Sequence, residues 1–238
     1  YTDATVRAFR QRAEVNKHFG GRTEMIDRKQ IKELVPCLNL DPAHLPVLAG
    51  LWHMDGATAR HDAVAWGYAK EAAKRGVEIH QLTEVQDFVV NRNQVTAVKT
   101  NRGSIECGCV VQAVAGTSSL LMNKLKIRSP IQTFPLQAMV SQPFKPFLNP
   151  LVSSSALHCY VQQTSRGEIV FGGGSDPYPL YNTRSTLDLK ESLLAHAIEM
   201  FPFMANVKLM RQWAGMTDMT PDYSPIMGQS PYDNYYLD

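Results

Sequence analysis

The stretch Gly56–Gly76, which reads GATARHDAVAWGYAKEAAKRG, decides the fold predicted for this chain. From about His61 to Arg75 the residues follow a helical period, with charged side chains on one arc of the helical wheel and alanine and aromatic side chains on the other. Alanines on the apolar arc would let the helix approach a sheet closely. His61 lies on this arc in the first turn, so we expect its side chain to face inward.

His61 has chemistry that suits a cofactor ligand. The positive end of the helix dipole disfavours the imidazolium form and keeps the ring neutral. A neutral imidazole can act as a nucleophile toward an electrophilic carbon, such as a flavin methyl group. The alternative is a first-turn histidine that hydrogen-bonds a neighbouring loop, and the residues by themselves favour this simpler interpretation.

The chain that follows the helix predicts an α/β nucleotide-binding arrangement. We expect a strand at Val77–His80, then a meander of short strands joined by turns at 91–93 and 101–103, and another strand at Val110–Val114. The small residues Ala115 and Gly116 turn that last strand into a helix. Open α/β sheets bind ligands at such strand ends.

After Pro130 the sequence predicts a region dominated by strands. The segments 131–142, 157–164 and 168–171 alternate well enough to form a sheet, and a helix is predicted for Thr186–Phe201 with Ser185 and Asp188 as a capping box. The residues Gly172–Gly174 are predicted to reverse the chain, because the lysine and the spacing of a phosphate-binding loop are missing. The fold class is therefore α/β, with a β-rich α+β part.

His158 and Tyr160 are candidates for lining a substrate cavity. They alternate with Cys159 in a predicted strand and would share one face of the sheet. An outer, solvated face of the sheet is the alternative.

Composition excludes several function classes. The net charge of +2 gives no general attraction to nucleic acid or to an anionic membrane, and no apolar run approaches the ~18 residues of a membrane span. The four cysteines lack the spacing of a zinc site, so we expect reduced thiols, no metal and a cytoplasmic location. No catalytic triad or carboxylate pair stands out, and the catalytic residues stay unknown.

The sequence resembles the β subunits of heterotetrameric sarcosine oxidases, within the D-amino-acid-oxidase-like FAD-dependent oxidoreductases. The similarity keeps its order and spacing along the chain, through TARHDAVAWGYA at 58–69, AGTSS at 115–119, PLQA at 135–138, HCYV at 158–161, RQWAG at 211–215 and TPD at 220–222.

This resemblance implies a Rossmann-like FAD domain interleaved with a β-rich substrate domain. The substrate domain would comprise residues 1–56 and 130–218, and the FAD domain would comprise residues 57–129 and 219–238. FAD would be bound noncovalently near Val85, Ala115 and Gly116, whereas His61 would carry FMN covalently. The family's G-x-G-x-x-G fingerprint is not found in this sequence, so we expect a piece of a longer chain, cut at both ends.

The resemblance also implies a reaction and partners. Sarcosine would be oxidatively demethylated to glycine and formaldehyde, with hydride transfer to FAD and electrons passed through FMN to oxygen. Tetrahydrofolate would be an alternative acceptor of the carbon, and the partners would be α, γ and δ subunits. Two other hypotheses remain: an FAD-only enzyme for another secondary amine such as proline or an opine, and a non-catalytic folded fragment that acts as a binding or assembly module.

Overall fold

The structure, a computed structural model, describes residues 1–43 and 45–238. Helices and strands of different lengths follow one another along this part of the chain. The helices are α1 (Asp3–His18), α2 (Arg28–Leu34), α3 (His61–Lys74), α4 (Ser118–Lys124) and α5 (Leu187–Met200). The strands are β1 (Thr23–Ile26), β2 (Gly50–His53), β3 (Val85–Asn91), β4 (Gln94–Thr100), β5 (Gly103–Glu106), β6 (Val110–Gln112), β7 (Gln132–Pro143), β8 (Val152–Ser154), β9 (Cys159–Gln163), β10 (Glu168–Ser175), β11 (Leu209–Met219), β12 (Gly228–Gln229) and β13 (Tyr235–Leu237).

The chain passes repeatedly between two compact units. Unit 1 comprises Tyr1–Thr58, Leu136–Ser175 and Arg184–Ala214, and unit 2 comprises Ala59–Pro135, Asp176–Thr183 and Gly215–Asp238. The mixed α/β architecture predicted from the sequence is confirmed.

Unit 1 is built around a five-stranded sheet with the strand order β11-β7-β10-β9-β8. Helix α5 packs on β9 and β10, and its buried residues Leu193, Ala197 and Met200 join the apolar side of the sheet. Met139, Val161 and Phe171 are fully buried on that side. Because the strands alternate, one face of this sheet forms the core and the other face stays partly open.

Local hydrogen bonds explain why the shorter helices of unit 1 begin where they do. Asp27 accepts from the backbone N–H of Gln30, and the Gln30 side chain accepts from the backbone N–H of Asp27. This capping box satisfies two helix-end donors. Helix α5 begins differently: the backbone N–H of Thr186 donates to Oε1 of Gln137, so the capping box predicted from Ser185 and Asp188 is wrong.

Unit 2 contains two three-stranded sheets. One is the antiparallel meander β3-β4-β5, and the other has the order β12-β13-β6, with β13 parallel to β6. Both sheets contribute to a second core, in which Tyr235 lies edge-on to Phe88 and donates to Gln112 Oε1 at 2.5 Å. Helix α4 adds Met122 to the same core, and Leu125 follows directly after the helix.

Three other predictions of secondary structure are wrong. Residues 77–80 form no strand. The stretch from Pro36 to Gly56, whose prolines and asparagines predict a loop, contains β2, which pairs with β1. The residues Gly172–Gly174 continue β10 instead of reversing the chain. Gly172 lies opposite Ala138 and Tyr160, where a Cβ atom would come within 2.6 Å of a backbone oxygen.

Candidate flavin and substrate positions

His61 is the first residue of α3 and its side chain is exposed. Arg60 precedes it and forms an ion pair with Asp62, with 3.1 Å between Nη2 and Oδ2. The backbone N–H of Ala63 donates to Asp62, and together with Arg60 it lowers the pKa of the Asp62 carboxyl. The carboxylate therefore stays ionised beside the His61 ring at the helix N-terminus.

The expectation that the apolar arc of α3 faces inward is wrong for this chain. The helix has no buried residue, and Trp66 and Tyr68 are 72% and 77% exposed. In the part of the chain that the structure describes, no other helix or strand packs closely along α3. The helix forms as predicted, but nothing described here covers its alanine side.

The turn at Ala115 and Gly116 follows β6 and leads into α4. Ala115 has a left-handed backbone with φ of 42°, and Gly116 is buried. A Cβ atom on Gly116 would lie 2.3 Å from the Cβ atom of Met216, so only glycine fits there. Thr133 donates to the Gly116 carbonyl at 3.0 Å and fixes the turn at the end of a strand that pairs in parallel with β13.

Val85 is the first residue of β3 and pairs with Thr100 of β4. It is half-buried and packs against the second core, to which Met122 and Leu125 also belong. The structure therefore places Val85 and the helix that follows Gly116 around one core within unit 2.

Tyr160 lies on the open face of the five-stranded sheet. It is half-buried, whereas its neighbours Cys159 and Val161 point into the core on the opposite face. Burial raises the pKa of the Tyr160 hydroxyl, so this group stays protonated and can donate a hydrogen bond. His158 does not share the strand: it lies in the preceding turn, exposed, with a left-handed φ of 46°.

A hydrogen bond that the sequence did not reveal joins the chain before α3 to this open face. Thr58 Oγ1 donates to Gln162 Oε1 at 3.1 Å, two residues along β9 from Tyr160. These residues are more than a hundred positions apart in the sequence. From the sequence, strand alternation predicts only that Tyr160 and Gln162 lie on the same face of β9.

Asp218 is a second residue that sequence reasoning missed. Its Oδ1 atom is buried and has no hydrogen-bond partner among the described residues. Burial raises the pKa of the Asp218 carboxyl, and the neighbouring Thr133 hydroxyl opposes this effect only in part. Thr133 also bonds to Gly116, so Asp218 stands close to the turn after β6. The only feature of the sequence that marks this position is that Asp218 is the single acidic residue in the segment 216–219.

The described residues contain no cluster of histidine, cysteine or acidic side chains that would hold a metal ion. No helix within 1–43 or 45–238 has the length and apolar character needed to cross a bilayer.

Comparison with known proteins gives a consistent result. The family of FAD-dependent oxidoreductases matches residues 1–238. The β subunit of sarcosine oxidase from Rhodobacter capsulatus is 39% identical over 232 residues, which are 98% of this chain and 56% of that protein. The corresponding subunit from Arthrobacter is 39% identical over the full 238 residues, and the chain covers 59% of it.

Among solved structures, the L-proline dehydrogenase from P. horikoshii superimposes with a TM-score of 0.91 and 29% identity. The match covers 100% of this chain and 64% of that structure. The chain therefore spans somewhat more than half the length of the relatives that it matches.

Proposed function

The chain belongs to the family of FAD-dependent oxidoreductases, and we propose that it is part of an amine oxidase similar to the β subunit of sarcosine oxidase. The observation that carries this proposal is the 38–39% identity to three such subunits over nearly the complete chain. The substrate would be sarcosine, whose N-methyl group would be oxidised to an imine that water hydrolyses to glycine and formaldehyde. FAD, when bound, would supply the acceptor for the hydride that leaves the N-methyl carbon.

Unit 2 would contribute main-chain contacts to FAD. The backbone at Ala115 and Gly116 turns at the end of a strand that pairs in parallel, which is where α/β sheets receive ligands. Because Met216 occupies the space beside Gly116, this glycine would support the turn, and the exposed backbone around it would meet the cofactor. Val85 would form an apolar contact at the start of β3.

His61 would be the attachment point of a covalent FMN. Its ring is exposed and makes no hydrogen bond to the described residues, so a ring nitrogen is open to substitution. A neutral imidazole nitrogen can act as a nucleophile toward an electrophilic carbon, such as a flavin methyl group.

The open face of the sheet in unit 1 would bind the amine. Tyr160 offers a protonated hydroxyl there, and Gln162 is held by Thr58 beside it. These groups would orient a small polar substrate. His158 would approach the substrate only from the turn before β9.

The partners and the location belong to the same proposal. Relatives that are themselves named subunits support the presence of partner subunits, which we propose to be α, γ and δ chains, with tetrahydrofolate as an acceptor of the carbon. The four free cysteines support a reducing, cytoplasmic location.

A second candidate is an FAD-only dehydrogenase of another secondary amine such as proline. The structural match to an L-proline dehydrogenase favours it. A third is a fragment that folds and serves in assembly only.

Fluorescence of a denaturing gel separates these candidates. In the complete protein that contains these residues, the flavin should migrate with the polypeptide, and His61→Ala should abolish this while His80→Ala, at another exposed histidine, should not. Covalent flavin that persists in His61→Ala contradicts the role of His61. Flavin that is wholly noncovalent, with turnover of proline but not sarcosine, supports the second candidate, and a colourless, folded protein supports the third.

A further inference from the structure

Unit 1 contains a cavity that the proposed function does not use. Its volume is about 340 Å³, within the range of small-molecule sites. The cavity is open to solvent on one side and is bordered by residues of α1, α2, β2, β8 and the last turn of α5. None of the positions proposed for FAD, FMN or the amine lines it: the lining comes from other residues of unit 1.

Most of the cavity wall is apolar. Ile31, Leu157 and Met200 are buried side chains of the core that border it, and Phe9 and Trp52 add aromatic surface from α1 and β2. An apolar wall of this kind favours a hydrocarbon or aromatic body, because burial removes that surface from water.

One polar group on the wall lacks a partner. Glu199, near the end of α5, lines the cavity, and its Oε1 atom is buried without a hydrogen bond to any described residue. Its backbone carbonyl accepts from Asn39 Nδ2 at 3.1 Å, so the unsatisfied atom is Oε1 of the carboxylate. A buried carboxylate oxygen without a donor is costly, and a cationic donor would relieve that cost.

The other polar groups at the cavity are either bonded or solvated. Tyr1 donates its hydroxyl to Ser154 Oγ at 2.7 Å. Burial raises the pKa of the Tyr1 hydroxyl, the hydrogen bond with Ser154 opposes this effect in part, and the negative charge of Glu199 adds to it. Arg12 also lines the cavity, but it is exposed and forms no ion pair with Glu199 or with any other described residue.

We propose that this cavity binds a small apolar molecule bearing an ammonium group, which donates to Oε1 of Glu199. The apolar wall holds the body of the ligand, and the unsatisfied carboxylate selects an amine over a neutral molecule of the same shape. The site is independent of the flavin chemistry, so it can be tested whether or not the chain binds a cofactor.

The test compares 2-phenylethylamine with 2-phenylethanol, its neutral analogue, by isothermal titration on the 238-residue chain. The amine should bind at least about tenfold more tightly than the alcohol, because a hydrogen bond to a charged group increases affinity by about tenfold or more. Glu199→Gln should remove this preference, whereas Glu191→Gln, at an exposed acid of the same helix, should keep it. Val6→Trp, which fills the cavity from α1, should weaken the binding of both molecules.

Several results would overturn the proposal. They are absence of amine binding, equal affinity for the alcohol, and an unchanged preference in Glu199→Gln. Arg12→Gln gives a further check, because removal of a nearby cation should leave amine binding equal or stronger. Weaker amine binding in that variant would contradict the charge arrangement. If Glu199→Gln does not fold, the affinity ratio of the two probes in the unmodified chain still decides.

Discussion

At the scale of single residues, close packing determines the residue in the turn after β6. Gly116 is buried against Met216, and Thr133 holds its carbonyl. The sequence identified this turn from its small residues, but it could not show that Met216, a hundred positions later, is the reason for the glycine. Asp218 was missed for the same cause, since its burial depends on neighbours that are distant in sequence.

Gly116→Ala should destabilise the protein. The added methyl group would meet Met216 at 2.3 Å, and overpacking of this kind costs about 1–3 kcal/mol. Gly67→Ala is the matched control, because that helical glycine has open space around its Cβ position and the change should stabilise by about 0.5–1 kcal/mol. Urea unfolding measures both free energies. Equal stability of the two variants would contradict the close approach.

The cysteines should differ sharply in reactivity. Burial raises the pKa of Cys159 to about 12, whereas Cys109 is exposed. At about pH 8, near the usual thiol pKa, a thiol reagent should modify Cys109 rapidly and leave Cys159 intact until the protein unfolds. Mass spectrometry after timed labelling measures this, with Cys109→Ser as the control that removes the fast site.

The same pKa shift sets a pH dependence of stability. The folded state retains the Cys159 proton up to about pH 12, whereas the unfolded chain loses it near the ordinary pKa of about 9. The contribution is therefore fully present below pH 9 and is lost as the pH rises toward 12. Cys159→Ser should flatten the fall in unfolding free energy across this window, and an unchanged slope would contradict the burial of the thiol.

At the scale of elements, local patterns predicted the helices well. The bounds of α3 and α5 agree to within one residue at each end with the helices predicted at His61–Arg75 and Thr186–Phe201. Strands were harder because pairing decides them: β2 lies in a stretch rich in proline but pairs residue by residue with β1. The triple glycine continues β10 because Ala138 and Tyr160 lie against its backbone on both sides.

Helix α3 shows that a helical sequence period does not determine whether the apolar side of a helix is buried. Its pattern gives the helix and the arc of alanines, but whether anything covers that arc depends on other residues. We expect its backbone amides to exchange with deuterium much faster than those of α5, because α5 buries three side chains and α3 buries none. Hydrogen exchange followed by mass spectrometry measures the difference. Equal protection of the two helices would show that α3 is covered.

At the scale of the whole molecule, the family could be recognised from the sequence because its motifs keep their order along 238 residues. The general α/β class also followed from the succession of helices and strands. The site could be predicted only as separate positions: the pairing of Thr58 with Gln162 and the placement of His158 outside the strand depend on tertiary structure. The cavity beside Glu199 left no signal in the sequence.

The central proposal is that this chain is part of an amine oxidase, and anaerobic reduction of the proposed flavin tests it most directly. Sarcosine added without oxygen to the complete protein that contains these residues should bleach the visible absorbance of the bound flavin, and oxygen should then restore it. A flavin that stays oxidised with both sarcosine and proline, or a folded protein that holds no flavin, would contradict the account.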